Sequence, residues 1–394
     1  MPHDQPPLLP KPDPLSAAHC EQVAAFIRQK IESSGGDISF AEFMQHALYA
    51  PGLGYYTAGS TKFGEAGDFV TAPEVSHVFG YVVARQCAEV LGQIHEAAVL
   101  EFGAGNGKLA ADILSRLDTL DALPAAYRIL EVSGDLRERQ ELYIRRHIPD
   151  LAHLVTWIDA PPVGHRGVIL ANEVLDALPV ERFVRRDSGI MQQRVCTTAE
   201  GFAFTEMPAA APLESAVLEL ETVLGDTLPD GFCSEVCLAV PDWIAQLEAG
   251  LAEGVAFLFD YGVSCREYYA TERSDGWLRC HFRHHAHNDP LILPGIQDLT
   301  AWVDFTRVAA AAVNAGFEIA GYTAQAQFLM AGGLEAEMRD FASLPLEAQL
   351  ELSQQIKTLT LPGEMGEHFK CMALRKGPCR VPSALSLADR THTL

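Results

Sequence analysis

Val99-Leu100-Glu101-Phe102-Gly103-Ala104-Gly105-Asn106-Gly107 is the stretch whose reading decides the fold. An apolar run ends in an acidic residue, three glycines alternate with other residues, and Lys108-Leu109 opens a helical pattern. Glycines at such a junction allow a tight turn and let a ligand press against backbone N–H groups. A G-x-G-x-G triplet alone occurs in many turns. Its context, a strand before and a helix after, gives it weight. The spacing is one residue short of the G-x-G-x-x-G of dinucleotide folds, and the acid before the first glycine is also unlike that fingerprint.

Outward from this junction the chain alternates. Short apolar runs at Ala98–Phe102, Tyr127–Val132, Leu154–Ile158, Gly167–Ala171 and Val255–Phe259 are mostly separated by helical segments. Such alternation predicts an α/β fold with a mostly parallel, doubly wound sheet. The gap before Val255 is too long for a plain crossover. Inside it, Glu181–Arg186, Met191–Thr197 and Phe202–Glu206 read as an antiparallel meander, followed by helices around Pro212–Leu224 and Pro241–Leu251. A helix over Leu299–Ala315 with Gly316 as its C-cap, and strands over Phe317–Tyr322 and His368–Leu374, would complete the sheet.

Upstream, Val23, Phe26, Ile27 and Ile31 recur at helical spacing. Ser39 and Glu42 form a capping-box pattern for a helix that stops at Ala50-Pro51-Gly52. Residues 51–76 then form a long glycine-rich loop with four aromatics, of a length that is usually functional. Residues 261–297 read as a loop rich in His and Pro.

The 394 residues carry 29 basic and 52 acidic side chains, a net charge of −23, which repels phosphate backbones and argues against a nucleic-acid partner. No apolar stretch is long enough for a membrane span, and the first residues fit neither a signal nor a transit peptide. The nine cysteines include no CxxC pair. Cys233 and Cys237, at CxxxC, are expected on one helix face, and all are read as reduced thiols in a cytoplasmic setting.

Three more acids fall at expected strand ends. Glu131, after the second apolar run, is placed to accept both hydroxyls of a ribose. Asp159, after the third, is placed for an adenine amino group. Asn172 and Glu173 end the fourth, where open α/β sheets bind ligands. Glu173 and Asp176 are three apart and would share one face of a starting helix, whose dipole also favours acids there.

The combination E-x-G-x-G-x-G from Glu101 to Gly107 resembles the S-adenosylmethionine loop of class I methyltransferases, in which the acid helps orient the methionine part. Further stretches extend the likeness: Gly67-Asp68-Phe69-Val70-Thr71-Ala72-Pro73-Glu74-Val75-Ser76, Asn172-Glu173 through Pro179, Asp260-Tyr261-Gly262, Pro294-Gly295 with Asp298-Leu299-Thr300, Gln325-Ala326-Gln327-Phe328-Leu329 and Met365-Gly366-Glu367-His368-Phe369-Lys370. Over residues 35–376 the chain resembles the MidA family of S-adenosylmethionine-dependent methyltransferases. Its mitochondrial members are complex I assembly factors that methylate an arginine of a core subunit.

The resemblance implies S-adenosyl-L-methionine as cofactor, a seven-stranded sheet, and Gly103, Gly105, Gly107 and Glu131 as cofactor contacts. It makes the loop from Gly67 to Ser76 a lid, with Asp68, Thr71, Pro73 and Glu74 on it. It implies a bacterial, cytoplasmic member with a protein substrate, arginine being the expected acceptor. Glu173 and Asp176 would pair with that guanidinium, with Asn172 beside them, and Asp68 or Glu74 would close from the lid. The implied organisation is a mobile tail at 1–14, helical cap and lid loop at 15–90, first half of the methyltransferase core at 91–179, inserted substrate-side subdomain at 180–252, second half of the core at 253–376, and a mobile tail at 377–394.

Other classes stay open. An assembly chaperone with a vestigial cofactor pocket is the main alternative, and a dinucleotide oxidoreductase is disfavoured by the glycine spacing. The cluster from Cys280 to His287 invites a metal, but its spacing matches no familiar zinc pattern, so no metal is expected.

Overall fold

The computed structural model describes residues 9–58, 71–386 and 389–394. The chain divides into two compact units, each built from three stretches. One comprises Met1–Phe69, Asp176–Val240 and Ser264–Trp302; the other comprises Val70–Leu175, Pro241–Val263 and Val303–Leu394.

The second unit carries the expected sheet. Its strands are β1 (Ala98–Phe102), β2 (Tyr127–Leu130), β3 (Val155–Ile158), β4 (His165–Asn172), β5 (Leu251–Val263), β6 (Glu318–Ala324) and β7 (Phe369–Lys376). They lie in the order β3-β2-β1-β4-β5-β7-β6, and the short Val303–Asp304 segment pairs with β5 as an eighth strand. The first five pair in parallel. β7 runs antiparallel to both neighbours. Parallel strands are covered on both faces, which is why they read as unbroken apolar runs. Val99, Val168, Val255 and Phe257 are fully buried in one core with Phe79, Val82 and Ile113 of the helices His77–Leu91 and Lys108–Thr119. Strand order reverses between β1 and β4, so a crevice opens at the carboxyl end of β1, beside the three glycines.

The first unit joins segments far apart in sequence. Ser39 caps the helix Phe40–Tyr49 through the expected capping box with Glu42. Asp37–Ser39 pairs with Gly189–Thr198, and the meander strands Glu181–Arg186, Gly189–Thr198 and Gly201–Pro208 lie in the same sheet. Its core packs Phe40, Phe43 and Leu48 with Val195, Leu278 and Leu299.

Several expectations are corrected. Cys233 lies on a strand, Cys233–Val236, paired with Glu181–Arg186, so it shares no helix face with Cys237. The supposed loop 261–297 contains the helix Cys265–Tyr268 and the strands Leu278–Phe282 and His285–His287. With Asp298–Ala301 these strands make a three-stranded antiparallel sheet. The helix expected from Leu299 starts at Phe305, because Asp304 accepts from the N–H groups of Thr306 and Arg307 and caps it there. The tail from Gly377 is packed: Ala384 and Leu385 are buried, and Gln86 accepts from the Ala384 N–H. At the other end, the helix starts already at Pro14, capped by Asp13.

Candidate active site

The glycine loop is shaped as its composition demands. Gly103, Gly105 and Gly107 all have positive φ, at 63°, 54° and 87°, the left-handed region that costs other residues about 1–2 kcal/mol. A Cβ on Gly105 would meet no described residue within 4 Å, whereas one on Gly107 would press to 3.2 Å on the Gln140 backbone. Gly107 is therefore needed for packing. Among the described residues, Gly105 leaves space above the loop, where a ligand can lie against the backbone.

Two acids serve the end of β1 and β2. Glu101 is buried, and the Tyr127 hydroxyl donates to it at 2.7 Å. Burial lifts its carboxyl to about 7, partly offset by that hydrogen bond. Glu131 is buried just past β2. One carboxylate oxygen accepts from the Ser133 N–H at 2.9 Å and the other from the Gln140 amide at 3.0 Å. Burial raises its carboxyl above the usual range. Each oxygen keeps a lone pair, so a diol still finds acceptors.

Asp159 is held differently. Its side chain is 92% exposed and pairs with Arg137 at 2.7 Å. Arg137 also donates to the carbonyls of Glu131 and Ile158, clipping together the ends of β2 and β3. Of the expected lid, Gly67 and Asp68 lie outside the described residues. Thr71 precedes the short helix Ala72–Val75, in which Pro73 is buried. Glu74 accepts from the Asn106 amide at 3.1 Å, so this helix touches the glycine loop directly. Asn106 in turn caps the following helix, accepting from the Lys108 N–H.

At the end of β4 no helix starts, which corrects the shared-face reading of Glu173 and Asp176. Glu173 instead takes φ = 53°, and its N–H donates to the Phe259 carbonyl of β5. The Leu175 N–H donates to the Asp260 carboxylate. These two bonds to β5 hold the backbone in a turn, and the division between the compact units follows at Leu175. The Asn172 amide donates to Glu173 at 3.2 Å, while its Oδ1 is buried with no hydrogen-bond partner among the described residues. A buried acceptor of this kind is costly unless a ligand donates to it.

In the first unit, Asp176 is buried, and its carbonyl accepts from Ala301. Asp298, on the neighbouring stretch of that strand, is fully buried and accepts from the Tyr56 hydroxyl at 2.9 Å. Tyr49 stacks on Tyr56 at 5.4 Å and donates to the Ala177 carbonyl. Removal from water and the neighbouring Asp298 hold the Tyr56 hydroxyl well above its usual range. Among the described residues no cluster of His, Cys, Asp and Glu fits a metal ion.

Sequence reasoning missed two things here. Gln140 had no signal, being one polar residue in a polar helix. Asp298 stood in a stretch that the family likeness singled out and Tyr56 only in the glycine-rich loop, and nothing in their spacing linked them.

The chain matches the profile of an S-adenosyl-L-methionine-dependent methyltransferase family over residues 82–323, well over half its length. It belongs to that family. This methyltransferase is 38% identical to a Burkholderia thailandensis protein whose crystal structure holds S-adenosyl-homocysteine. The likeness covers 98% of this chain and 100% of that one, with a TM-score of 0.92. It is 30% identical to mouse mitochondrial protein arginine methyltransferase NDUFAF7, covering 91% of this chain and 86% of that one. The human counterpart is 29% identical, with 88% and 81% covered. The MidA likeness is thus shown, as is the enzyme class. S-adenosyl-L-methionine is the cofactor. Among the described residues, the space at Gly105 and the acceptors of Glu131 fit such a group. Among the described residues no helix is long and apolar enough to cross a membrane.

Proposed function

We propose that this methyltransferase modifies an arginine side chain of a partner protein, such as a subunit of respiratory complex I. The reading leans on relatives named as protein arginine methyltransferases along most of their length. The observation that carries it is the end of β4, where Glu173 sits in a left-handed turn beside the Asn172 amide, a carboxylate of the kind that pairs with a guanidinium.

Gly103, Gly105 and Gly107 offer backbone to the cofactor, Glu131 accepts from its ribose, and Asp159 takes the adenine amino group on the oxygen that Arg137 leaves. Thr71, Pro73 and Glu74 flank the same loop. Bound there, S-adenosylmethionine supplies an activated methyl group. The protein positions the acceptor, and orientation of this kind is worth up to about 7–11 kcal/mol. A guanidinium must also shed a proton, since free arginine titrates above about 12. Glu173, steadied by the Asn172 amide, pairs with the guanidinium and holds that proton.

The test is mass spectrometry of the proteome with and without the gene, then of the purified enzyme with the affected protein. Loss of methylarginine at a defined position is expected. Loss of a methyl mark on lysine, or on a small molecule, overturns the reading.

A further inference from the structure

One side chain ties together the ends of three strands. Gln140 sits two turns into the helix Gly134–His147 and is fully buried. Its Nε2 donates to the Gly105 carbonyl and to Glu131, both at 3.0 Å. Its Oε1 accepts from the Trp157 indole at 2.8 Å. Trp157 can only donate and the Gly105 carbonyl can only accept, so one orientation of the amide satisfies all partners.

The contact to Gly105 reaches the loop's inner surface. In a planar trans peptide the C=O and the next N–H point opposite ways. With the Gly105 carbonyl drawn toward Gln140, the Asn106 N–H is turned to the other side. The same amide fixes the Glu131 carboxylate, whose second oxygen is already held by Ser133.

We propose that Gln140 is a positioning residue for the cofactor: it sets the Gly105–Asn106 peptide and the Glu131 carboxylate as one unit and is itself held in register by Trp157. The inference rests on the nucleoside reading of the glycine loop and Glu131.

Gln140→Glu tests it with almost no change in shape. The introduced carboxyl can still accept from Trp157, but its other oxygen then faces two acceptors with no proton between them. Calorimetry with S-adenosyl-homocysteine is expected to show affinity more than tenfold weaker than the unaltered enzyme at pH 8. The ratio narrows toward pH 5.5, where the carboxyl regains a proton to donate. Gln140→Leu, lacking every bond, weakens binding equally at both pH values. A Gln140→Glu affinity within twofold of the unaltered enzyme at pH 8, or a ratio that does not change with pH, overturns the proposal. If that variant does not fold, Trp157→Phe carries the test: the amide loses its anchor, and affinity falls about threefold with the melting temperature of the free protein nearly kept. An unchanged affinity there overturns the proposal too. Gly105→Val separates the two levels. If it leaves binding intact, the nucleoside reading itself fails; if it abolishes binding while Gln140→Glu does not, only the role of Gln140 fails.

Discussion

The carboxyl ends of β1 to β3 and the carboxyl end of β4 face the same crevice side of one sheet but are built on opposite principles. At the first, strain is placed on glycines, and nearly every buried polar atom has a partner: Glu101 with Tyr127, Glu131 with Ser133 and Gln140, Gln140 with Trp157. At the second, a left-handed φ falls on Glu173, a residue with a side chain, and the Asn172 Oδ1 has no partner among the described residues. Strain on a non-glycine residue costs about 1–3 kcal/mol and persists only where surrounding structure enforces it. A finished network suits a ligand that every member of a large enzyme class shares. An unfinished, strained turn suits the acceptor, which completes it only on arrival.

The largest expected break of this contrast is Gly105→Val. The branched side chain fills the open space above the loop at a backbone angle that valine resists. S-adenosyl-homocysteine affinity should fall more than a hundredfold by calorimetry, with the melting temperature of the free protein lowered by only a few degrees. Unchanged affinity would place the cofactor elsewhere.

Glu173→Gln addresses the other end. It keeps shape and hydrogen-bonding capacity and removes the charge, and charge-assisted bonds are roughly twice as strong as neutral ones. Methyl transfer should slow by well over tenfold while cofactor affinity holds. A proportional loss of both would move Glu173 to the cofactor side of the comparison.

Glu101 sharpens the contrast through pH. Burial raises its carboxyl from 4.5 to about 7, so between those values the folded protein binds a proton that the unfolded chain has released. Its contribution therefore declines as pH rises through that window. In Glu101→Gln the amide oxygen still accepts from Tyr127, and the decline is absent. The melting temperature of the variant should gain several degrees on the unaltered protein between pH 5 and pH 8. Parallel pH profiles would refute the buried, uncharged state.

The smallest expected effect is Glu173→Gly, which relieves the left-handed φ. Stability should hold or rise by up to about 1 kcal/mol in urea unfolding even as activity is lost. A clear loss of stability would show that the Glu173 side chain, and not its backbone, holds the turn.

Most of the sheet was legible because buried parallel strands announce themselves as apolar runs, and the glycine loop because only glycine serves there. What stayed hidden has physical causes. Leu278–Phe282 and His285–His287 form a hairpin whose turn residues, Arg283 and His284, both take positive φ, at 48° and 63°. That turn ordinarily advertises itself with Asn-Gly, and here no such signal exists. Cys233–Val236 is a four-residue strand, too short for its alternation to outweigh the CxxxC spacing. At Glu173 the acids at a spacing of three mimicked a helix start, but hydrogen bonds to β5, distant in sequence, decided the backbone. At the candidate site, the acids at strand ends were readable by position; the tyrosine and glutamine that hold them come from the next strand and helix, at spacings that no motif marks.

The position of β7 sets the order in which this sheet can be finished. Residues 369–376 wedge between β5 and β6, supplying hydrogen bonds to both. During synthesis, β5 must wait for more than a hundred residues to follow it before its partner emerges. Until then its open edge, with Phe257 and Phe259 on it, is a template for pairing with other chains. Ribosome-bound chains stopped short of Phe369 should therefore recruit a holdase chaperone, and those that expose Lys376 should release it.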